Sequence, residues 1–310
     1  MELNNKNNSA IRLKAIVQVV ILVFLSNMVF ADGGLTAYYR VATLKGSITD
    51  VSIQVKKVLS AEAFKILGEY NPGKDSTRHI VAFTRQDLID VALIVEDRGL
   101  LAAVLKVGLL KNDAGEIEVS LLNPDYLFYG YLRDHITEEI ELQLSKISMD
   151  VRITLSQRGT DFEPFGGNTL TDSELKNFRY LVRYPSFDEP VILKTFGSYE
   201  EGIETIQKNL KARSGGAIKV FELVFDDKKI AVFGVALSDN EKGEANFLNV
   251  LGEKEITALP YEIVLQNNEA SILPGRFRFP FFWSHLTMTD LKNIYKVPSD
   301  IEYVMRGLTK

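Results

Sequence analysis

The chain has 310 residues, 46% hydrophobic and 25% charged, with a formal net charge of −5 and no cysteine. These are ordinary globular values with room for about two domains. The missing cysteine excludes disulfides, zinc–thiolate and iron–sulfur sites, covalent c-type haem, thiol nucleophiles and a lipoprotein anchor. Residues 1–31 carry Lys6, Arg12 and Lys14 against Glu2, so the remainder holds about −7. That balance argues against nucleic acid, which needs clustered Lys and Arg, and against strong binding to anionic lipid.

The N-terminus reads as an export signal. Arg12 and Lys14 precede an apolar run, Ile16 to Leu25, interrupted only by Gln18. The run is shorter than the roughly 20 residues a membrane span needs. Val29 and Ala31 then place small residues where a signal-peptide cleavage site has them. Residues 1–31 are therefore predicted to be a signal peptide cleaved after Ala31, leaving a periplasmic or secreted protein. An uncleaved N-terminal anchor is the alternative, and it is the sole membrane contact expected.

The remainder is predicted to hold two α+β units, 32–156 and 190–310, joined by a linker over 157–189 that is richer in Gly, Pro and polar residues, with one short helix between Asp172 and Arg183. The first unit opens with a strand, "AYYRVATLKG", and a helix capped by Ser47 with Asp50 in its first turn; Ile48, Val51, Val55 and Val58 share one face. A helix starting at Thr84 and Asp87 follows. The second unit repeats the opening with "VILKTFG" and a helix whose Ser198 and Glu201 have capping-box spacing. Gly215 and Gly216 end it. Strands "AIKVFELVF", "IAVFGVAL", "YEIVLQ" and "GRFRFPFFW", separated by the turns "DDKK" and "NNEA", come next. A closing helix buries Ile301, Val304 and Leu308. The order β-α-β-β-β-β-α implies an antiparallel sheet packed on helices. Internal likeness supports duplication: Val104 to Glu116 and Ile230 to Glu244 both read as an apolar strand with a central glycine (Gly108, Gly234) and a polar turn ending Gly-Glu.

"ALPYEIVLQNNEASILPGRFRFPFFWSHLTM", with "VPSDIEYVMRGL" after it, resembles the family catalogued as domain of unknown function 302, through Leu259-Pro260 ahead of a hairpin. Asn123-Pro124 in the first unit resembles the Asn-Pro that follows a mid-domain strand in such proteins. The resemblance covers residues 190–310 better than 36–155. It implies single or tandem units of a curved antiparallel sheet around a long helix, like a TATA-binding-protein unit, and brings no catalytic residues with it.

The chemistry-bearing motifs are few. His79, His135 and His285 lack metal-ligand spacing, and no P-loop, G-x-G-x-x-G or G-x-S-x-G is present. No catalytic residue, metal ligand or cofactor is predicted. What stands out is "GRFRFPFFWSHLTM", Gly275 to Met288, with five aromatic residues and the chain's one Trp. Read as a strand, it buries Phe277 and Phe279 and turns Arg276 and Arg278 to water; Pro280 then interrupts the pairing. Arg276, Arg278, Phe282, Trp283 and His285, with Tyr126 and Tyr129 of a second aromatic cluster, form the candidate ligand-binding set, since aromatic and Arg side chains anchor such surfaces. If the units face each other, the two clusters could share a cleft. The function expected is a non-catalytic binding or accessory protein of the cell envelope, taking a small molecule or an envelope protein, with a homodimer allowed. The alternatives are an enzyme whose dispersed carboxylates converge on His285, and an assembly protein.

Overall fold

The computed structural model describes residues 34–310. The signal-peptide reading falls on residues outside the described ones, and Leu35–Lys310 form one compact unit.

Ser47 separates the first strand, β1 (Tyr38–Leu44), from the first helix, α1 (Ile48–Ala61), and its hydroxyl accepts from the Asp50 amide at 3.1 Å. That bond satisfies an amide that a helix N-terminus otherwise leaves unpaired. The predicted stripe, Val51, Val55 and Val58, is buried. The first half continues through β2 (Lys65–Tyr70), β3 (Arg78–Thr84), α2 (Gln86–Ile94), a 3-10 turn at Gly99–Ala103, β4 (Leu105–Lys111), β5 (Ile117–Leu122), α3 (Pro124–Leu132) and α4 (Glu138–Ser156). The connection holds β6 (Glu163–Phe165) and α5 (Asp172–Lys176). The second half contains β7 (Val191–Thr195), α6 (Tyr199–Lys211), β8 (Ala217–Phe225), β9 (Ile230–Leu237), α7 (Glu244–Leu251), a 3-10 turn at Ile256–Ala258, β10 (Tyr261–Gln266), β11 (Glu269–Ile272), α8 (Gly275–Phe282), α9 (Met288–Asn293) and α10 (Val297–Gly307).

The architecture is α+β, with two antiparallel sheets packed on helices. The sheets are ordered β2-β3-β4-β5-β1-β6 and β8-β9-β10-β11-β7. Counting strands within each half, both orders read 2-3-4-5-1, with β6 added at one edge. The irregularities repeat as well: β2 is bulged between Ile66 and Gly68, and β8 between Lys219 and Phe221. Every residue of β9 is buried, although successive side chains point to opposite faces, so both faces of that strand are covered.

Four local expectations are corrected. "GRFRFPFF" is a helix, α8, and the hairpin partner of β10 is the short "EASI" of β11, reached through Asn267-Asn268 with Asn267 at φ 53°. Because α8 is buried on nearly all sides, Arg278 is 1% exposed where a strand would have turned it to water; only Arg276 faces out. Strand β4, holding Gly108, is fourth in its half, whereas β9, holding Gly234, is third, so the two glycine segments are not equivalent; by position β4 corresponds to β10, and β3 to β9. Thr84 ends β3 and donates to the Ala103 carbonyl, leaving Arg85 as the residue before α2. Ser198 does accept from the Glu201 amide, but the Glu201 carboxylate accepts from Gly197, so the box is displaced by one residue.

Helices α3 and α8 occupy corresponding places, each directly after the fifth strand of its half, and they pack on each other. The Phe281 ring meets Tyr126 at 4.8 Å and Tyr131 at 5.8 Å between centroids. It lies so close to residue 130 that a Cβ there would be 2.2 Å from a ring carbon. Two first-half hydroxyls, Tyr126 and Tyr38, donate to the Phe281 and Phe282 carbonyls at 2.6 and 2.7 Å. These are carbonyls of the last helical turn, which have no partner within the helix.

Gly130→Ala should therefore destabilise the protein. A helical Gly→Ala change gains up to ~1 kcal/mol in propensity, but overpacking against a ring that is itself hemmed in costs about 1–3 kcal/mol. Gly307→Ala, with nothing within 4 Å of the added methyl, is the control and should be neutral or slightly stabilising. Urea unfolding of both variants decides the matter.

Candidate functional site

The predicted site residues divide between the interior and the surface. Tyr126, Phe282, Trp283 and Arg278 are buried in the described structure. Trp283 donates its indole N–H to the Gly252 carbonyl at 3.4 Å. Tyr129 is partly exposed and donates its hydroxyl to Glu141 at 2.6 Å. His285 has a side chain 42% exposed, with Nδ1 3.8 Å from the Glu255 carboxylate. Burial holds the Glu255 carboxyl above the usual carboxylate range, against the opposing pull of His285.

The end of the aromatic stretch nonetheless reaches a surface feature. Pro280 and Ser284 form one wall of an open cleft of about 490 Å³. The connection supplies the other wall, including Asn168, Ser173, Asn177, Phe178, Arg179 and Tyr180. Ser284 ties the walls together: its hydroxyl accepts from the Asn168 amide at 2.8 Å, and its carbonyl accepts from the Asn168 side-chain amide at 3.1 Å. Phe178 holds the connection down, packing edge-on against Phe281 at 5.1 Å and Phe277 at 5.8 Å. Phe187 does the same further along, against Tyr131 at 5.2 Å, with the Arg133 guanidinium 4.5 Å from its ring centre. The cleft thus offers side-chain amides, hydroxyls and aromatic faces, with Arg179 and Glu174 at its margin. Sequence reasoning had placed these residues in a linker, and polar residues scattered through a loop carry no periodic signal that would single them out.

Buried charge lies elsewhere. Glu262 on β10 is ion-paired with Lys106 on β4 and with Arg278 on α8. Lys106 and Glu262 are the second residues of corresponding strands, so the pair links the two halves at equivalent points. The Arg278 guanidinium also donates to the Ala258 carbonyl and lies 4.2 Å from the Tyr261 ring centre. Burial alone would raise the Glu262 pKa, but Arg278 and Lys106 bring it below the ordinary value. A Lys inside "VLKVGLL" and a Glu inside "YEIVLQ" were the signals: single charges within otherwise apolar strands.

A second buried carboxyl has no cation. Glu244, at the start of α7, accepts from the Tyr70 hydroxyl at 3.0 Å, the Gly73 amide at 3.1 Å and the Leu237 amide at 3.2 Å. Burial raises its pKa to about 7 despite those donors. Among the described residues no group of three or more His, Asp or Glu side chains is placed to hold a metal ion, and no helix is long and apolar enough to cross a membrane.

Fold and site together define an α+β protein of two topologically repeated halves with an open polar–aromatic cleft beside α8. No family model matches the chain, and no curated protein matches it. Among solved structures, one described as the crystal structure of an uncharacterized conserved protein, DUF302, from Bacillus stearothermophilus is similar at 13% identity and a TM-score of 0.32, covering 39% of this chain and 97% of that one.

Removing Glu262 should be the costly change in the buried cluster. Glu262→Gln leaves two buried cations without a counter-ion and should cost about 3–5 kcal/mol, whereas Lys106→Met keeps the Arg278 pair and should cost little or stabilise. Chemical denaturation of the two variants reads the difference. Glu244 gives a pH signature. Its folded pKa lies above the unfolded value, so its contribution is complete below about pH 4.5 and is lost as pH rises through about 7. The loss is on the order of 3 kcal/mol. Stability measured from pH 4 to 8 should fall more steeply in the wild type than in Glu244→Gln.

Proposed function

We propose that the chain is a non-catalytic binding protein of the cell envelope, and that the cleft between the connection and the end of α8 holds a small polar ligand. One observation carries this reading: the cleft of about 490 Å³ has walls with side-chain amides, hydroxyls and aromatic faces, pinned together by Ser284 and Asn168. Such groups orient a ligand through hydrogen bonds and stacking without a reacting centre. The export part of the proposal rests on the signal-like residues 1–31, and membership of the domain of unknown function 302 family on the motifs around Leu259-Pro260.

A catalytic reading has one observation in its favour, the buried Glu255 carboxyl beside His285. Neither residue lines the large cleft, and their separation of 3.8 Å is beyond hydrogen-bond length. Binding is therefore the preferred reading.

Ser173 is exposed on α5 and faces the cleft, so Ser173→Trp should fill the cleft without disturbing the core. Native mass spectrometry of protein isolated from its own envelope should show a retained small molecule on the wild type and its loss in the variant. Equal retention by both would sink the assignment to this cleft. N-terminal sequencing of the same material should begin at Asp32 if export and cleavage occur as proposed.

A further inference from the structure

Beside the cleft, the connection projects an apolar tip. Val182 is 92% exposed and Leu181 47%. They sit in a tight turn closed by the Tyr184 amide donating to the Leu181 carbonyl at 2.8 Å, which places Val182 and Arg183 at the two corners. Turn corners favour Gly, Pro, Asn, Asp and Ser for stated backbone reasons, and a β-branched Val has none of them. Local structure therefore does not account for Val182.

Nor is the tip a loose end. Tyr180 and Tyr184 meet edge to face at 5.3 Å at its base, and Arg179 donates to the Tyr184 carbonyl at 2.6 Å. The Tyr180 hydroxyl reaches the Leu286 carbonyl at 3.5 Å, fixing the turn near Met288, which is 49% exposed. Charge is arranged around it too. The two neighbouring carboxylates are already paired, Asp188 with the half-buried Arg133 and Glu189 with the exposed Arg179, whereas the exposed Arg183 has no carboxylate partner among the described ion pairs. At physiological salt, charges more than about 8 Å away are largely screened, so the tip presents a cation although the body is acidic.

We propose that the turn Leu181–Tyr184 is a membrane-docking tip. Leu181 and Val182 enter the interfacial layer of a bilayer, Tyr180 and Tyr184 lie at headgroup level, and Arg183 pairs with lipid phosphate. Apolar side chains tipped by aromatic and basic ones suit that boundary. A lipid surface fits better than a protein partner because two apolar residues fall far short of the ~1,000 Å² a specific protein interface buries, whereas interfacial binding grows with each inserted side chain. The inference does not depend on the cleft holding a ligand.

The absence of cysteine makes the test direct. In the full-length chain, Val182→Cys carries a single nitrobenzoxadiazole label, and Lys57→Cys, exposed on α1, carries it in the control. With vesicles of phosphatidylethanolamine and phosphatidylglycerol, the label at 182 should shift to the blue and be quenched by lipids spin-labelled near the headgroup, and the label at 57 should do neither. Adding Arg183→Glu to the labelled protein should reduce the shift. Identical spectra at 182 with and without vesicles would overturn the proposal. So would a shift that appears with envelope protein extract but not with pure lipid, which would identify a protein contact instead.

Discussion

The ring of Phe281 lies where a side chain at residue 130 would be, and the relation between the two halves depends on that contact. Gly130 lets α3 approach α8 closely enough for Tyr126 and Tyr131 to close around the ring. Close approach then brings the Tyr126 and Tyr38 hydroxyls to the carbonyls at the end of α8. Each such bond contributes only about 1 kcal/mol, but a buried carbonyl left unpaired would cost more. Packing and polar satisfaction therefore depend on the same geometry. A side chain at residue 130 would disturb both.

The repeated strand order explains why charge can be buried between the halves. Corresponding strands β4 and β10 are linked across the interface through their second residues, Lys106 and Glu262, which form an ion pair. Two copies of one apolar strand would leave nothing to fix how they face each other. Opposite charges at equivalent points accept one arrangement and penalise a shifted one, since a slipped pairing would strand a buried charge. Arg278 tightens the restriction by binding Glu262 from α8. The aromatic contact supplies burial, and the charged cluster fits the alignment.

Much of this was legible in the sequence where residues are half buried. The helix starting after Ser47 and the strand before "DDKK", β8, show the periodicities of elements with one wet face. Legibility failed where burial is complete. In "GRFRFPFFW" every second residue from Phe277 to Trp283 is aromatic, which is the strand pattern, while Phe277–Phe281 and Phe279–Trp283 are also four apart, which is the helical one. A helix buried all round has no polar face to settle the choice. The glycine segments misled for a related reason. Gly108 makes room for Thr257 and Ile256 above its strand, and Gly234 for the ring of Phe221 beside its own. Similar letters met different neighbours, and only strand pairing separates them.

The candidate site lies where the repeat breaks. The connection occurs once, so β6 extends only one sheet, and Phe178 and Phe187 cover only one flank of the α3–α8 pair. A strictly duplicated molecule would have left that apolar flank bare. The connection covers it incompletely, and the cleft is what remains between the cover and the end of α8. Its polar groups come mainly from the segment with no counterpart in the other half, Asn168, Ser173, Asn177, Arg179 and Tyr180. The same segment carries the apolar tip. A core fixed by duplication tolerates little change, as Gly130 shows, whereas a single-copy loop on its surface can vary without moving the sheets. Recognition in such a fold is therefore expected in the connection, and the aromatic stretch that first drew attention serves as its footing.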